Sequence, residues 1–180
     1  RISYLQREKQ PSSLVIRGTL GLKDLALSSR AKAPLLSLSS FDAELGGYDV
    51  SGGTLDVKEL RFDSPELFLR RGKDGRMEVA GLFARAEEKG PAVKRDAPPA
   101  SFAWGVSSLA LEKGRIQFSD DSKPTPFALF LRDVSVAAKD LGNDGGKKGT
   151  AAVSASADSG EVLKIAGTVA FAPLASEGTL

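Results

Sequence analysis

The segment Val57-x-x-Leu60-x-Phe62-x-Ser64-Pro65-x-Leu67-x-Leu69 recurs, without a gap, as Val106-x-x-Leu109-x-Leu111-x-Lys113-Gly114-x-Ile116-x-Phe118. Each apolar position of one copy meets an apolar position of the other, and Pro65 falls on Gly114. Alternation of apolar and polar residues turns one face of a strand toward an apolar environment. Each copy therefore reads as a strand, a sharp corner and a second strand, with Pro or Gly where the chain reverses or kinks. Leu22-x-x-Leu25-x-Leu27 matches the first half of a third copy. Such repetition favours an elongated stack of β units over a closed enzyme core.

Period-two alternation continues on both sides of the repeat, and long helical periodicity is scarce. Leu14-Val15-Ile16-Arg17-Gly18 opens a strand that continues through Leu20, Leu22, Leu25 and Leu27, with a slip in parity at Lys23-Asp24 that predicts a bulge or a turn. Residues 35–45 form the next strand, with Phe41, Ala43 and Leu45 on one face. Ser51-Gly52-Gly53 turns the chain into residues 54–62, which are paired with residues 65–70 by a tight corner at Asp63-Ser64-Pro65. Asp74-Gly75 predicts a hairpin, because this pair tolerates the positive φ of tight β-turns; residues 76–79 are its return strand.

Residues 82–89 suit one or two helical turns. Pro91, Pro98 and Pro99 mark residues 90–103 as an exposed linker between a first block, 1–89, and a second, 104–180. In the second block, residues 106–111, 115–119 and 126–137 are strands, 141–149 a surface loop, and 150–157 with 161–171 a hairpin around Asp158-Ser159-Gly160. Gly178-Thr179-Leu180 reads as the opening of a further strand. The expected fold is mainly β: antiparallel strand-corner-strand units in a curved sheet or sandwich, with at most one or two short helices.

The 180 residues hold 25 Lys and Arg against 23 Asp and Glu, a net charge of +2, with no His and no Cys. That removes thiol nucleophiles, Ser-His-Asp triads, His-ligated zinc and His general bases. Basic and acidic residues are interleaved, as at Arg7-Glu8-Lys9, so no dense basic stripe suits a nucleic acid. No run of about 18 apolar residues offers a membrane span. Arg1 begins the chain without the charged, apolar and cleavage regions of a leader, so the chain reads as a segment of a longer protein.

Two stretches resemble the AsmA-like envelope proteins of Gram-negative bacteria. One is Leu60-Arg61-Phe62-Asp63-Ser64-Pro65-Glu66-Leu67-Phe68-Leu69-Arg70-Arg71 followed by Asp74-Gly75-Arg76-Met77-Glu78-Val79. The other is Trp104-Gly105-Val106 leading into Leu109-Ala110-Leu111-Glu112-Lys113-Gly114-Arg115-Ile116-Gln117-Phe118-Ser119-Asp120. The resemblance extends over about residues 14–180 and its motifs are short and mostly structural. It implies a periplasmic protein tethered to the inner membrane by an N-terminal helix, which this sequence lacks. It also implies a groove of stacked strands with an apolar interior, serving lipid transport between membranes or outer-membrane maintenance. No catalysis and no cofactor are implied. The partners would be phospholipid acyl chains and neighbouring domains of the same chain.

Leu67, Leu69, Ile116, Phe118, Phe127, Leu129 and Leu131 are the residues proposed to face lipid. The same aliphatics suit the core of a sandwich, in a structural or protein-interaction domain without cargo. Asp120-Asp121 is the most enzyme-like pair, yet neighbours on a strand point to opposite faces and Ser122-Lys123-Pro124 marks a turn. Asn143-Asp144-Gly145-Gly146 lacks the alternating oxygen ligands and closing Glu of a Ca²⁺ loop, and no metal site is assigned. Trp104 follows the linker, placed to staple the second block to the first or to meet a membrane or partner.

Overall fold

The computed structural model describes residues 2–5, 13–29, 31–78, 102–144, 146, 148–171 and 174–179. Among them are no helix and ten strands: β1 (Ile2–Leu5), β2 (Ser13–Ser28), β3 (Pro34–Asp49), β4 (Thr54–Asp63), β5 (Glu66–Arg71), β6 (Ala103–Asp120), β7 (Phe127–Gly142), β8 (Gly149–Ala157), β9 (Val162–Phe171) and β10 (Leu174–Thr179). They form one sheet in the order β1-β2-β3-β4-β6-β7-β8-β9-β10, with β5 beside β3 and β6. Both expected blocks thus contribute to a single sheet. The expected linker ends at β6, which already includes Ala103, and the helical turns at 82–89 lie outside the described residues. The strand expected to open at Gly178 is β10, and Gly178 lies near its end. No strand forms at 76–78, where one bridge, Arg71 with Met77, closes the Asp74-Gly75 hairpin.

Neighbouring strands are antiparallel except at one seam, where β4 and β5 run parallel to β6. Parallel neighbours need a long crossover, and residues 72–102 make it. The seam pairs the two copies of the sequence repeat in register: Val57 with Val106, Leu60 with Leu109, Phe62 with Leu111, Leu67 with Ile116 and Leu69 with Phe118.

The corner at Asp63-Ser64-Pro65 is a kink rather than a reversal. β4 and β5 follow one another in the same direction, both antiparallel to β3, and do not pair together. A hairpin would have to sacrifice the ladder to β6. Instead Ser64 adopts φ 51°, its N–H donates to the Glu112 carbonyl at 2.9 Å, and the Arg115 N–H donates to the Pro65 carbonyl at 2.8 Å. The ladder therefore passes through the kink. By the same device the strands expected at 106–111 and 115–119 are one strand, β6, bent at Lys113 with φ 55°.

These two residues belong to a lower crease that crosses the sheet. Asp24 on β2 (φ 52°) and Asp133 on β7 (φ 51°) extend it on either side. The parity slip expected at Lys23-Asp24 is the Asp24 position, and the β2–β3 register is the same on both sides of it. An upper crease runs past Gly46, Lys58, Ser107 and Asp140, where the ladder skips or shifts and Asp140 has φ 55°.

Gly114 shows how tightly the lower crease is packed. A Cβ there would lie 2.9 Å from the Leu111 Cδ2, 3.0 Å from the Val134 Cβ and 3.0 Å from the Val134 carbonyl oxygen, and that carbonyl is fixed backbone. Gly114→Ala is expected to lower stability by about 1–3 kcal/mol, the usual cost of overpacking. Gly105→Ala, whose Cβ would meet only the Leu141 carbonyl oxygen at 3.8 Å, is expected to leave the urea unfolding midpoint nearly unchanged.

Candidate binding face

Residues paired across neighbouring strands share a face, so the registers sort every side chain. Between the creases, Leu22, Phe41, Phe62, Leu111, Val136, Val153 and Ile165 form an unbroken apolar row from β2 to β9. A second row, Leu20, Ala43, Leu60, Leu109, Ala138, Ala151 and Gly167, runs beside it. Neither row contains a hydrogen-bonding side chain. The rings of Phe41 and Phe62 stand 4.9 Å apart.

Below the lower crease Leu27, Leu36, Leu67, Ile116, Leu131 and Ala157 form another row, and Leu69, Phe118 and Leu129 a shorter one. The closeness of the Gly114 Cβ position to both Leu111 and Val134 places these rows on the same face as those above. All seven sequence-proposed residues lie on this face. Phe127 joins it at the lower end, where its ring is 6.3 Å from that of Phe118. Above the upper crease, Leu45, Val57, Val106 and Leu141 continue the face, followed by Tyr48, Leu55 and Trp104.

The face is concave. In a flat sheet, strands two apart lie about 9.6 Å from one another, yet Cα atoms of β7 and β9 approach within 8 Å on either side of β8. Trp104 on β6 and Phe171 on β9 touch at 5.1 Å between ring centroids across the two intervening strands. In a single layer a side chain becomes buried where its neighbours lean over it, and Leu38, Val57, Val134 and Ala155 on this face are each buried.

Nothing among the described residues forms a second layer over this trough. No side chain there falls below 2% relative exposure, while Leu20 remains 55%, Leu22 43%, Phe127 54% and Ile165 39% exposed. Globular domains rarely leave so extended an apolar surface to water, and where they do it marks an interaction site.

The opposite face is polar over β3 and β4, while one of its rows turns to alanine from β6 onward, at Ala110, Ala137, Ala152 and Ala166. Lys58 pairs with Glu44 at 3.0 Å, Arg61 with Glu59 at 2.7 Å and Lys113 with Asp63 at 3.0 Å. The Lys113 ammonium donates to the Asp63 carboxylate, holding that carboxyl below its ordinary range and the ammonium above its own.

The lower lip of the trough is capped by an ion pair. Arg71 and Asp120 meet at 3.5 Å, and Asp120 is only 8% exposed. The Ser122 hydroxyl and backbone N–H both donate to Asp120 Oδ1, and with Arg71 they pull its carboxyl below the usual range. Asp121 turns the other way and takes two bonds from Arg70, at 2.9 and 2.8 Å. The adjacent carboxylates thus serve separate cations. Asn143 holds Trp104 in place: its Oδ1 accepts from the Trp104 N–H at 2.8 Å and its Nδ2 donates to the Phe102 carbonyl at 2.7 Å. The Trp104 backbone lies beside Leu55 of the first block, whereas its ring reaches Phe171 of the second.

Sequence reasoning did not assign Phe41, Phe62, Leu111, Val136 and Ile165 to the trough. The signal was available in the odd spacings, Val57 to Leu60 and Phe62 to Leu67, which break the alternation at the two creases. No protein-family model, curated protein or solved structure matches the chain.

Asp120 supplies a pH prediction. Its folded pKa is depressed, so its stabilisation is present above the unfolded value near 3.9 and is lost as pH falls through the folded pKa. Asp120→Asn is expected to lower the urea midpoint at pH 7. The gap should close on acidification to below the folded pKa, where the wild-type carboxyl is also neutral.

Proposed function

We propose that this chain is a non-catalytic segment of an AsmA-like envelope protein, and that its trough shields phospholipid acyl chains in transit between membranes or during outer-membrane maintenance. The observation that carries this reading is the apolar row crossing seven strands with no polar side chain in it and, among the described residues, no second layer over it. Such a surface offers no directional partner to a polar ligand. It rewards a flexible apolar chain, with about 0.8 kcal/mol for each CH₂ removed from water. The mechanism is passive: apolar rows shield the chains while the ion-paired face meets the periplasm. In the full-length protein an inner-membrane anchor would hold the segment in that compartment, with neighbouring domains continuing its sheet.

A second reading is a periplasmic structural or protein-interaction domain without lipid. It draws on the outer edges of β1 and β10, which no described strand pairs and which present backbone groups to a docking strand.

Native mass spectrometry of protein purified without detergent, with solvent extraction of the bound material, separates the two. The expected result is co-purifying phospholipid that Leu111→Asp abolishes. Ala110→Asp, one residue away on the opposite face, should retain it. A lipid-free wild-type mass would assign the segment to the second reading.

A further inference from the structure

The contact between Trp104 and Phe171 has a position in the trough that a mere packing contact would not need. The two rings lean together from β6 and β9 at 5.1 Å and 65°, edge to face. Their strands are separated by β7 and β8, so in a flat sheet the backbones would stand about 14 Å apart. The backbone of the two intervening strands is tightly packed at this level, where Gly142 ends β7 and Gly149 begins β8. A Cβ at 142 would lie 2.8 Å from the Trp104 carbonyl oxygen, and one at 149 would lie 2.7 Å from that of Lys139.

Backbone and side chain are restrained differently here. The Trp104 backbone is fixed on both sides, its N–H donating to Asn143 Oδ1 at 2.8 Å and its carbonyl accepting from the Asn143 N–H at 3.2 Å. Phe171 is held in register with Leu174 of β10. The residue remains 38% exposed, and a phenyl ring has no polar group to anchor it. Rotation about side-chain bonds is enough to part the pair without disturbing the ladder.

We propose that Trp104 and Phe171 form a displaceable latch across the upper part of the trough, which a fatty acyl chain must part to lie there. This rests on the reading of the trough as an acyl-chain site. Parting the rings forfeits their mutual contact, which subtracts from the affinity for any chain lying above the upper crease. The latch thus sets where along the strands a chain enters: freely between the creases, and above the upper crease only with the rings apart.

Trp104 is the one tryptophan of the sequence, so its fluorescence reports this contact without background. The whole chain is titrated with stearate and with dibrominated stearate, and occupancy is measured separately by native mass spectrometry. The expected result is quenching of Trp104 by the brominated chain in proportion to occupancy. Phe171→Ala should tighten stearate binding by about threefold or more, since a closed latch lowers the apparent affinity by the fraction of molecules in which it stands open. Phe171→Leu, which keeps apolar bulk without the ring, should do the same and guards against a folding defect in the alanine variant. Bound chain with unquenched Trp104, or weaker binding in both variants, would overturn the latch and leave the trough reading standing. No bound chain in any variant would overturn the trough reading and the latch with it.

Discussion

One constraint governs this protein: a single-layer sheet must keep its apolar side chains on one face while its strands bend. The period of a strand is two, so any local break in the backbone throws every later side chain to the other side. Here the breaks come in register, at Asp24, Ser64, Lys113 and Asp133 along one line, and the spacing of apolar residues changes there. The backbone fault and the sequence fault cancel. A non-glycine residue in the left-handed region costs roughly 1–2 kcal/mol. The sheet sustains several because each sits inside a ladder that passes through it, as the Ser64 and Arg115 bonds do.

Stability is distributed accordingly. No described side chain is fully buried, and the most protected apolar residues, among them Leu38, Val134 and Ala155, lie scattered over β3, β7 and β8 instead of clustering. Long ladders and half-buried cross-strand pairs such as Phe41 with Phe62 take the place of a core. The ion pairs on the opposite face contribute little, since exposed pairs are screened and entropically costly. Their effect is on solubility: they keep the β3–β4 part of that face wet, behind the apolar rows.

The mainly β class, the turns at Ser51-Gly52-Gly53 and Asp158-Ser159-Gly160, and the repeat were legible in the sequence because each is local: alternation, positive-φ residues and matching spacings. The face shared by Leu67, Leu69, Ile116, Phe118, Phe127, Leu129 and Leu131 was legible for the same reason, all of them lying below the lower crease where alternation runs undisturbed. What alternation alone did not decide was what comes after a break. Ser64-Pro65 suits a hairpin or a kink equally well, and the choice is made by β6, which arrives much later in the chain. Whether the face meets a second sheet or stays open is likewise invisible to period two, because a sandwich and a single curled layer share the same pattern.

The parallel seam has a consequence for how the chain acquires its structure. β1 to β5 and β6 to β10 are two meanders whose strands find their partners nearby in sequence, and such contacts close quickly. The seam instead joins segments whose separation spans residues 72–102, so loop closure delays it. Until the seam closes, the β6 edge and the β4–β5 edge are both unpaired. Because the two edges carry the same apolar spacing, each half-sheet in that interval presents a template that a second molecule can satisfy as well as its own partner does. The repeat that specifies the correct seam is for this reason also the feature that a domain-swapped pairing would use.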